Sequence, residues 1–231
     1  MANEPTTPEP DQILPPPPVS PLVKIGLVVG VVAFLVVAVL LLQWTNRPYG
    51  PTDIPSLPTL GAAAAPLTIY EYASFGCEQC AKVRKIVKEV MSQYEGKVKL
   101  VYVSFPQASQ PSSTRAAMAG VCAAEQNKFW EFAELMFERQ SSWVKDPDPA
   151  ALWTGYASQV GMDTNQFARC LGSSATEAAV KQQLMMAVGQ VVQQTPTFII
   201  GESRLVNPRV IEDFQKAINR ELAALNASGP K

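Results

Sequence analysis

The chain has 231 residues, a formal net charge of −1, four cysteines, no histidine and a hydrophobic fraction of 47%. With no excess of Lys or Arg to neutralise phosphates, the charge argues against a nucleic-acid partner. The apolar fraction is too high for a coreless disulfide scaffold, and the length allows one or two domains.

Residues 1–21 carry eight prolines and three acids with hardly any apolar periodicity. Such a segment cannot offset its ordering entropy by burial, so residues 1–23 are expected to be a disordered tail. Ile25 to Leu42 then runs without a charge. As a helix it would be about 27 Å long, close to the ~30 Å hydrocarbon core. Lys24 flanks one end and Trp44 with Arg47 the other, as interfacial anchors would. A transmembrane helix is therefore expected over residues 24–44. A cleaved signal peptide is the competing reading; the long non-basic tail and the lack of an adjacent small-residue cleavage site oppose it. Gly26 and Gly30 form a G-x-x-x-G within the span, which can bring two helices into a weak dimer, although glycine is common in membrane helices. Residues 45–65, rich in Pro, Gly, Thr and Ala, read as a linker.

Thr68 to Ala73 alternates β-branched and aromatic residues and reads as a strand. Ser74-Phe75-Gly76 is a turn. From Glu78 onward Val83, Ile86, Val87, Val90 and Met91 recur at helical spacing. Cys77 and Cys80 thus sit at a strand-to-helix junction, with Cys77 at the helix N-terminus. Free N–H groups and the positive end of the helix dipole there favour a thiolate, the species that attacks a disulfide. Cys80 lies one turn further on, placed to displace a mixed disulfide. The spacing reads as a redox pair. Half a zinc site or a merely structural bridge are the alternatives, but zinc would need two more ligands.

Gly96 is a plausible stop, and Val98 to Phe105 is a nearly continuous apolar strand, expected to be central. Strand, helix and strand in so short a span suggest a βαβ unit with a parallel pair. After a polar loop over Pro106–Ser113, helical patterns follow to about Leu171. The first carries Ala116, Ala119, Cys122 and Ala123, and the second carries Phe129, Trp130, Phe132 and Phe137, whose spacing fits core packing. Asp146 to Pro149 is a turn, Ala150 to Val160 another helix, and Asp163 the N-cap of a short one ending near Gly172. Ser174 and Glu177 frame a capping box before a long helix with Met185 and Met186, read as core filler rather than soft-metal ligands. Gln194 to Ile200 and Arg204 to Val206, joined by Gly201 to Ser203, form an antiparallel hairpin. Asn207 caps a final helix with Pro208 at its first position.

The order β-α-β, helical block, β-β-α is a thioredoxin-type order with a helical insertion. The expected fold class is α/β, a thioredoxin-like fold with an inserted helical subdomain at about 112–192, preceded by a single transmembrane helix. Residues 66–227 resemble the DsbA-like thiol–disulfide oxidoreductases in a membrane-anchored arrangement. The likeness is carried by Glu71 to Cys80, by Phe105-Pro106, by Cys122 to Glu131 and by Thr195-Pro196-Thr197-Phe198.

The resemblance implies that Cys77 attacks, Cys80 resolves and Pro196 is a cis-proline packed against them. Thr195 would then offer its backbone to an extended substrate strand. An ordinary strand-start proline is the alternative for Pro196. Glu71 matches a buried acid of some relatives that exchanges protons with the resolving thiol. No basic partner is identified on the second strand, where Val103 stands, so a solvated strand residue is the rival reading. The family's namesake carries Pro-His between its cysteines. Glu78-Gln79 here implies that Cys77 is only modestly acidified, with Glu78 opposing the thiolate by like charge. Many relatives have a second cysteine pair at the insertion positions, which implies a structural disulfide between Cys122 and Cys170, the alternative being two buried thiols.

On this basis the expected function is extracytoplasmic disulfide exchange, foremost disulfide formation in unfolded or reduced proteins, with a membrane redox partner that re-oxidises the pair. The catalytic domain would lie on the extracytoplasmic face and the tail in the cytoplasm. No cofactor and no metal are expected. The alternatives are a reductase or isomerase on the same fold and a non-catalytic binding or chaperone module.

Overall fold

The computed structural model describes residues 30–39, 57–108, 110 and 112–227. The chain divides into two compact units, residues 1–48 and 49–231. In the first, residues 30–39 form helix α1. No helix among the described residues is long and apolar enough to cross a membrane. The proline-rich tail, most of the 24–44 span and Gly26 of the G-x-x-x-G lie outside the described residues.

The second unit is built on a five-stranded sheet in the order β1-β3-β2-β4-β5. β2 (Leu67–Ala73) and β3 (Val98–Ser104) are its parallel centre, joined by α2 (Glu78–Gln93). β4 (Thr197–Ile200) lies antiparallel to β2, and β5 (Ser203–Val206) antiparallel to β4. The alternation of side chains sorts two faces. Leu67 and Ile69 of β2 and Val98 and Leu100 of β3 pack with Val83, Val87 and Val90 of α2 and with Phe214 and Ile218 of α9 (Ile211–Ala227). Tyr72 and Val103 point the other way, onto Met186 and Ala187 of α8 (Ser174–Gly189).

Between β3 and β4 the chain forms an all-helical block: α3 (Ser113–Glu125), α4 (Phe129–Glu138), α5 (Gln140–Trp143), α6 (Ala150–Gln159), α7 (Thr164–Leu171) and α8. Its core holds Phe132, Trp143, Trp153 and Phe167, all fully buried. Asp163 caps α7 through its side chain, which accepts from Gln166 N–H at 2.9 Å. Cys122 of α3 and Cys170 of α7 are joined by a disulfide, 48 residues apart in sequence. Closing so long a loop removes unfolded-state freedom, so the Cys122→Ala/Cys170→Ala double variant is expected to lose about 2–4 kcal/mol of unfolding free energy. Urea titration under non-reducing conditions measures it; a loss below about 1 kcal/mol would mean that the apolar core alone holds the block.

Three boundaries differ from the sequence reading. The linker read at 45–65 already contains β1 (Thr59–Gly61), which pairs antiparallel with the free edge of β3. All three of its residues are exposed, so no apolar alternation marks it. The N-cap of α8 is Ser173, whose Oγ accepts from Ala175 N–H, rather than Ser174. The last helix starts at Ile211, after Asn207 turns the chain at φ 51°, so Pro208 precedes the helix instead of opening it.

Candidate active site

β2 runs directly into the Cys-x-x-Cys turn, and β4 begins one residue after Pro196. Because Tyr72 of β2 is in register with Thr197 of β4, the two ends meet, and Thr195 arrives beside Cys77. The Thr195–Pro196 peptide bond is cis. Cys77 is the N-cap of α2, with extended backbone. Its sulfur takes the place of a capping side-chain oxygen and accepts from Cys80 N–H at 3.3 Å. Both cysteines are free thiols.

The two sulfurs are driven apart in acidity. Cys77 is 7% exposed, Cys80 not at all. The Cys77 thiol is lowered to about 6, first by the hydrogen bond that the Cys80 thiol donates. Burial opposes this; the Thr195 side chain and the backbone amides of Cys80 and Gln79 reinforce it. Burial pushes the Cys80 thiol well above its ordinary value, helped by the bond it donates to Cys77. The arrangement therefore holds an ionisable sulfur in front of a protonated one.

Glu78 turns away from the pair. Its carboxylate is 73% exposed and 2.5 Å from Lys82, so the opposition to the thiolate expected of it is met by Lys82 instead. Gln79 acts on Cys77 through its backbone amide, while its side chain lines a cavity of about 290 Å³ with Lys82, Val83, Ile86, Pro208 and Arg209.

Glu71 is fully buried, so it is not a solvated strand residue. Leu67, Ile69 and Glu71 are alternate residues of β2, and Glu71 faces α2 with them. Its partner does come from outside the second strand. Arg84, one helical turn after Cys80 on the buried stripe of α2, donates to Glu71 Oε2 at 3.1 Å and to Glu134 Oε1 at 3.0 Å. Glu134 in turn meets Lys88 at 2.5 Å near the surface. The β3 residue in register with Glu71 is Tyr102, not Val103, which faces α8. Burial raises Glu71 against the pull of Arg84. It raises Tyr102 well up too, with Glu71 and Cys80 adding to it. Among the described residues, Glu71 Oε1, Arg84 Nε and Tyr102 Oη have no hydrogen-bond partner, so one carboxylate oxygen and one hydroxyl are left unengaged beneath the pair.

Three glutamines that sequence reasoning passed over reach the site, two from the loop after β3 and one from the helical block. Gln140 Nε2 donates to the carbonyls of Phe75 (2.6 Å) and Cys77 (3.1 Å), and Gln110 Nε2 to that of Gly76 (3.0 Å). Gln107 Nε2 donates to Thr195 Oγ1 at 2.9 Å. No local motif announces them. Arg84 did leave a signal, since it follows Cys80 by four residues, a charged side chain on a stripe that is otherwise apolar. No cluster of metal-binding side chains occurs among the described residues.

The thioredoxin family profile matches residues 54–220, and the chain belongs to that family. A stretch of 165 residues is 30% identical to the Na+/H+ antiporter NhaA 3 of Salinispora tropica, covering 71% of this chain and 24% of that one. The chain thus spans about a quarter of the length of the curated relatives it matches. Among solved structures, oxidised BdbD from Bacillus subtilis superposes with a TM-score of 0.65 at 22% identity, covering 74% of this chain and 95% of that one. Wolbachia pipientis alpha-DsbA1 does so with a TM-score of 0.64 at 20% identity, over 76% and 96%. These likenesses carry the fold.

Proposed function

We propose that this protein is a protein disulfide oxidoreductase, tethered to the membrane by residues 24–44 with its thioredoxin-fold domain on the extracytoplasmic face, foremost an oxidase of reduced client proteins. One observation carries the reading: Cys77 Sγ, favoured as thiolate at the N-cap of α2, lies 3.4 Å from the carbonyl of Thr195 next to a buried, protonated Cys80. The uncharged run Ile25–Leu42 supports the tether.

In the oxidised state a client thiolate attacks Cys77 Sγ. The Cys77–Cys80 bond breaks, a client–Cys77 disulfide forms, and Cys80 leaves as a thiolate that takes up a proton. A second client thiolate attacks the client sulfur of that mixed disulfide and expels Cys77 as a thiolate. Two electrons pass from the client to the pair, and a membrane redox partner accepts them to restore the disulfide. The low pKa of Cys77 makes it the better leaving sulfur in the second step. In the reverse direction Cys80 must lose its proton before it can attack, and Glu71, raised by burial and with Oε1 free, is the base proposed to take it.

In the reduced protein, iodoacetamide alkylation of Cys77 is expected to reach half its limiting rate near pH 6, where the thiol is held at about 6. A midpoint near pH 9 would remove the basis for the reading. That same acidity favours a second reading, a reductase or isomerase, because it stands nearer the ~7 of thioredoxin than the ~3.5 of DsbA. Equilibration with glutathione decides between them: about −120 mV marks an oxidase and about −270 mV a reductase.

A further inference from the structure

The backbone of Cys77 is held on both sides. Its N–H donates to the Ser74 carbonyl at 3.0 Å. Its own carbonyl accepts from Ala81 N–H at 3.2 Å and from Gln140 Nε2 at 3.1 Å. The same nitrogen donates to the Phe75 carbonyl at 2.6 Å, so the two hydrogens of one amide serve two carbonyls. Two acceptors admit only the NH2 end of that side chain; turned over, it would set oxygen against oxygen. Gln140 therefore spans the turn from Phe75 to Cys77 with a single group.

Gln140 is itself placed by rigid neighbours. It opens α5, which ends at the fully buried Trp143, whose Nε1 donates to the Met136 carbonyl at 2.9 Å. Three residues before Gln140, the ring of Phe137 lies 5.1 Å from the ring of Phe75. The segment from Phe137 to Gln140 thus grips Phe75 by its ring and by its carbonyl. Phe75 is buried, so water is poorly placed to take over the bond that Gln140 makes.

The effect reaches the sulfur through one torsion. Cys77 Sγ accepts from Cys80 N–H at 3.3 Å while Cys77 has extended backbone, φ −81° and ψ 115°. The angle ψ sets where Cβ stands relative to the carbonyl and to the helix beyond it. A donor fixed on that carbonyl, with the N–H tied to Ser74, fixes ψ and so the seat of the sulfur.

We propose that Gln140 is a positioning residue for disulfide exchange: by clamping the Phe75 and Cys77 carbonyls it holds the backbone of Cys77 in the setting that seats its sulfur on the Cys80 amide. The inference rests on the reading of Cys77 as the attacking sulfur. The charged and titratable groups around the turn are Cys80 and Arg84 on α2, Glu71 on β2, Tyr102 on β3 and Glu134 on α4. Glu78 is engaged by Lys82, and Arg139 lies over the ring of Tyr156. Gln140 carries no charge, so a neutral replacement removes the clamp and leaves all of these in place.

The test is the pH dependence of Cys77 alkylation in the reduced full-length protein, with the modified residue identified by peptide mass and stability followed by urea titration. Gln140→Met keeps the length and loses both donors; it should raise the midpoint by about one unit, the loss of one hydrogen bond to a charged group. Gln140→Asn keeps the amide but is one methylene too short to span both carbonyls. It should raise the midpoint in the same direction, and it carries the test if the methionine variant does not fold. At pH 8 the equilibrium of the pair with glutathione should move toward the disulfide with the midpoint, a tenfold shift corresponding to about 30 mV. A merely structural tie would lower the urea midpoint and leave the alkylation midpoint and the glutathione equilibrium where they are, and that result would overturn the assignment. Alkylation needs no client. A Gln140-dependent midpoint in a protein without exchange activity would therefore count against the exchange reading and not against the clamp, whereas an unmoved midpoint in a protein that exchanges disulfides would end the clamp and spare the reading.

Discussion

Cys77→Ser should abolish thiol–disulfide exchange, while Cys80→Ser should leave a protein that captures clients and cannot release them. The two outcomes follow from the unequal setting of the sulfurs. Cys77 is the only one of the pair with any exposure and the one whose ionised form is supported by donors from Cys80, Gln79 and Thr195. A serine hydroxyl at the same N-cap would be capped equally well but stay protonated at any working pH. Insulin reduction and oxidative refolding of a reduced client should therefore fall by at least about a thousandfold. Cys80 is sealed from solvent and held as a thiol, so its replacement spares capture and removes the intramolecular attack that ends it. Non-reducing gels of Cys80→Ser should show client adducts that dithiothreitol dissolves and that the Cys77→Ser/Cys80→Ser double variant lacks. Wild-type turnover in Cys77→Ser would end the proposal in favour of a binding module with structural sulfurs.

Much of the architecture was legible because it is written in local periodicity. The alternation over Thr68–Ala73, the apolar run over Val98–Phe105 and the stripe of α2 each specify one element, and their order specifies the βαβ core. The position of Cys77 at the helix N-terminus is legible for the same reason, since a strand, a turn and a helix start surround it. What stayed hidden depends on contacts between segments distant in sequence. β1 is three exposed residues that become a strand only because β3 has a free edge. The partner of Glu71 was sought on the second strand at Val103, but alternation sends that residue to the α8 face and leaves Tyr102 in register. The actual partner sits on α2. Gln107, Gln110 and Gln140 are polar residues in or beside loops, and only the folded domain reveals that Gln110 and Gln140 meet the turn leading to Cys77 while Gln107 meets Thr195.

The polar layer under the pair has its own internal conflict, and Arg84→Met should expose it. Arg84 lies on the apolar stripe of α2, stacked within 5.6 Å of the rings of Trp130 and Phe137. Burial works against its charge, but Glu71 and Glu134 outweigh that and hold it protonated. Glu134 is half-exposed and also paired with Lys88, so it survives the loss of Arg84. Among the described residues Glu71 has no such second partner. Removing Arg84 takes away both the charge and the hydrogen bond that restrain Glu71, leaving a fully buried carboxylate whose pKa burial raises further. At pH 8 that should cost about 3–5 kcal/mol of unfolding free energy. The sign with pH follows from linkage. Glu71 is raised in the folded state above the ~4.3 of an unfolded glutamate, so below that value it is protonated in both states and the penalty vanishes; the loss grows as pH rises toward the folded-state value. Urea titrations of Arg84→Met should therefore show a smaller deficit against wild type at pH 4 than at pH 8. Glu71→Gln/Arg84→Met removes the stranded charge, so it should recover most of the stability at pH 8 and lose the pH dependence. If single and double variants were equally unstable at pH 8, the penalty would lie in lost packing against Trp130 and Phe137. The ion pair beneath the cysteines would then be an accessory of the core rather than the group that makes a buried carboxylate tolerable next to Cys80.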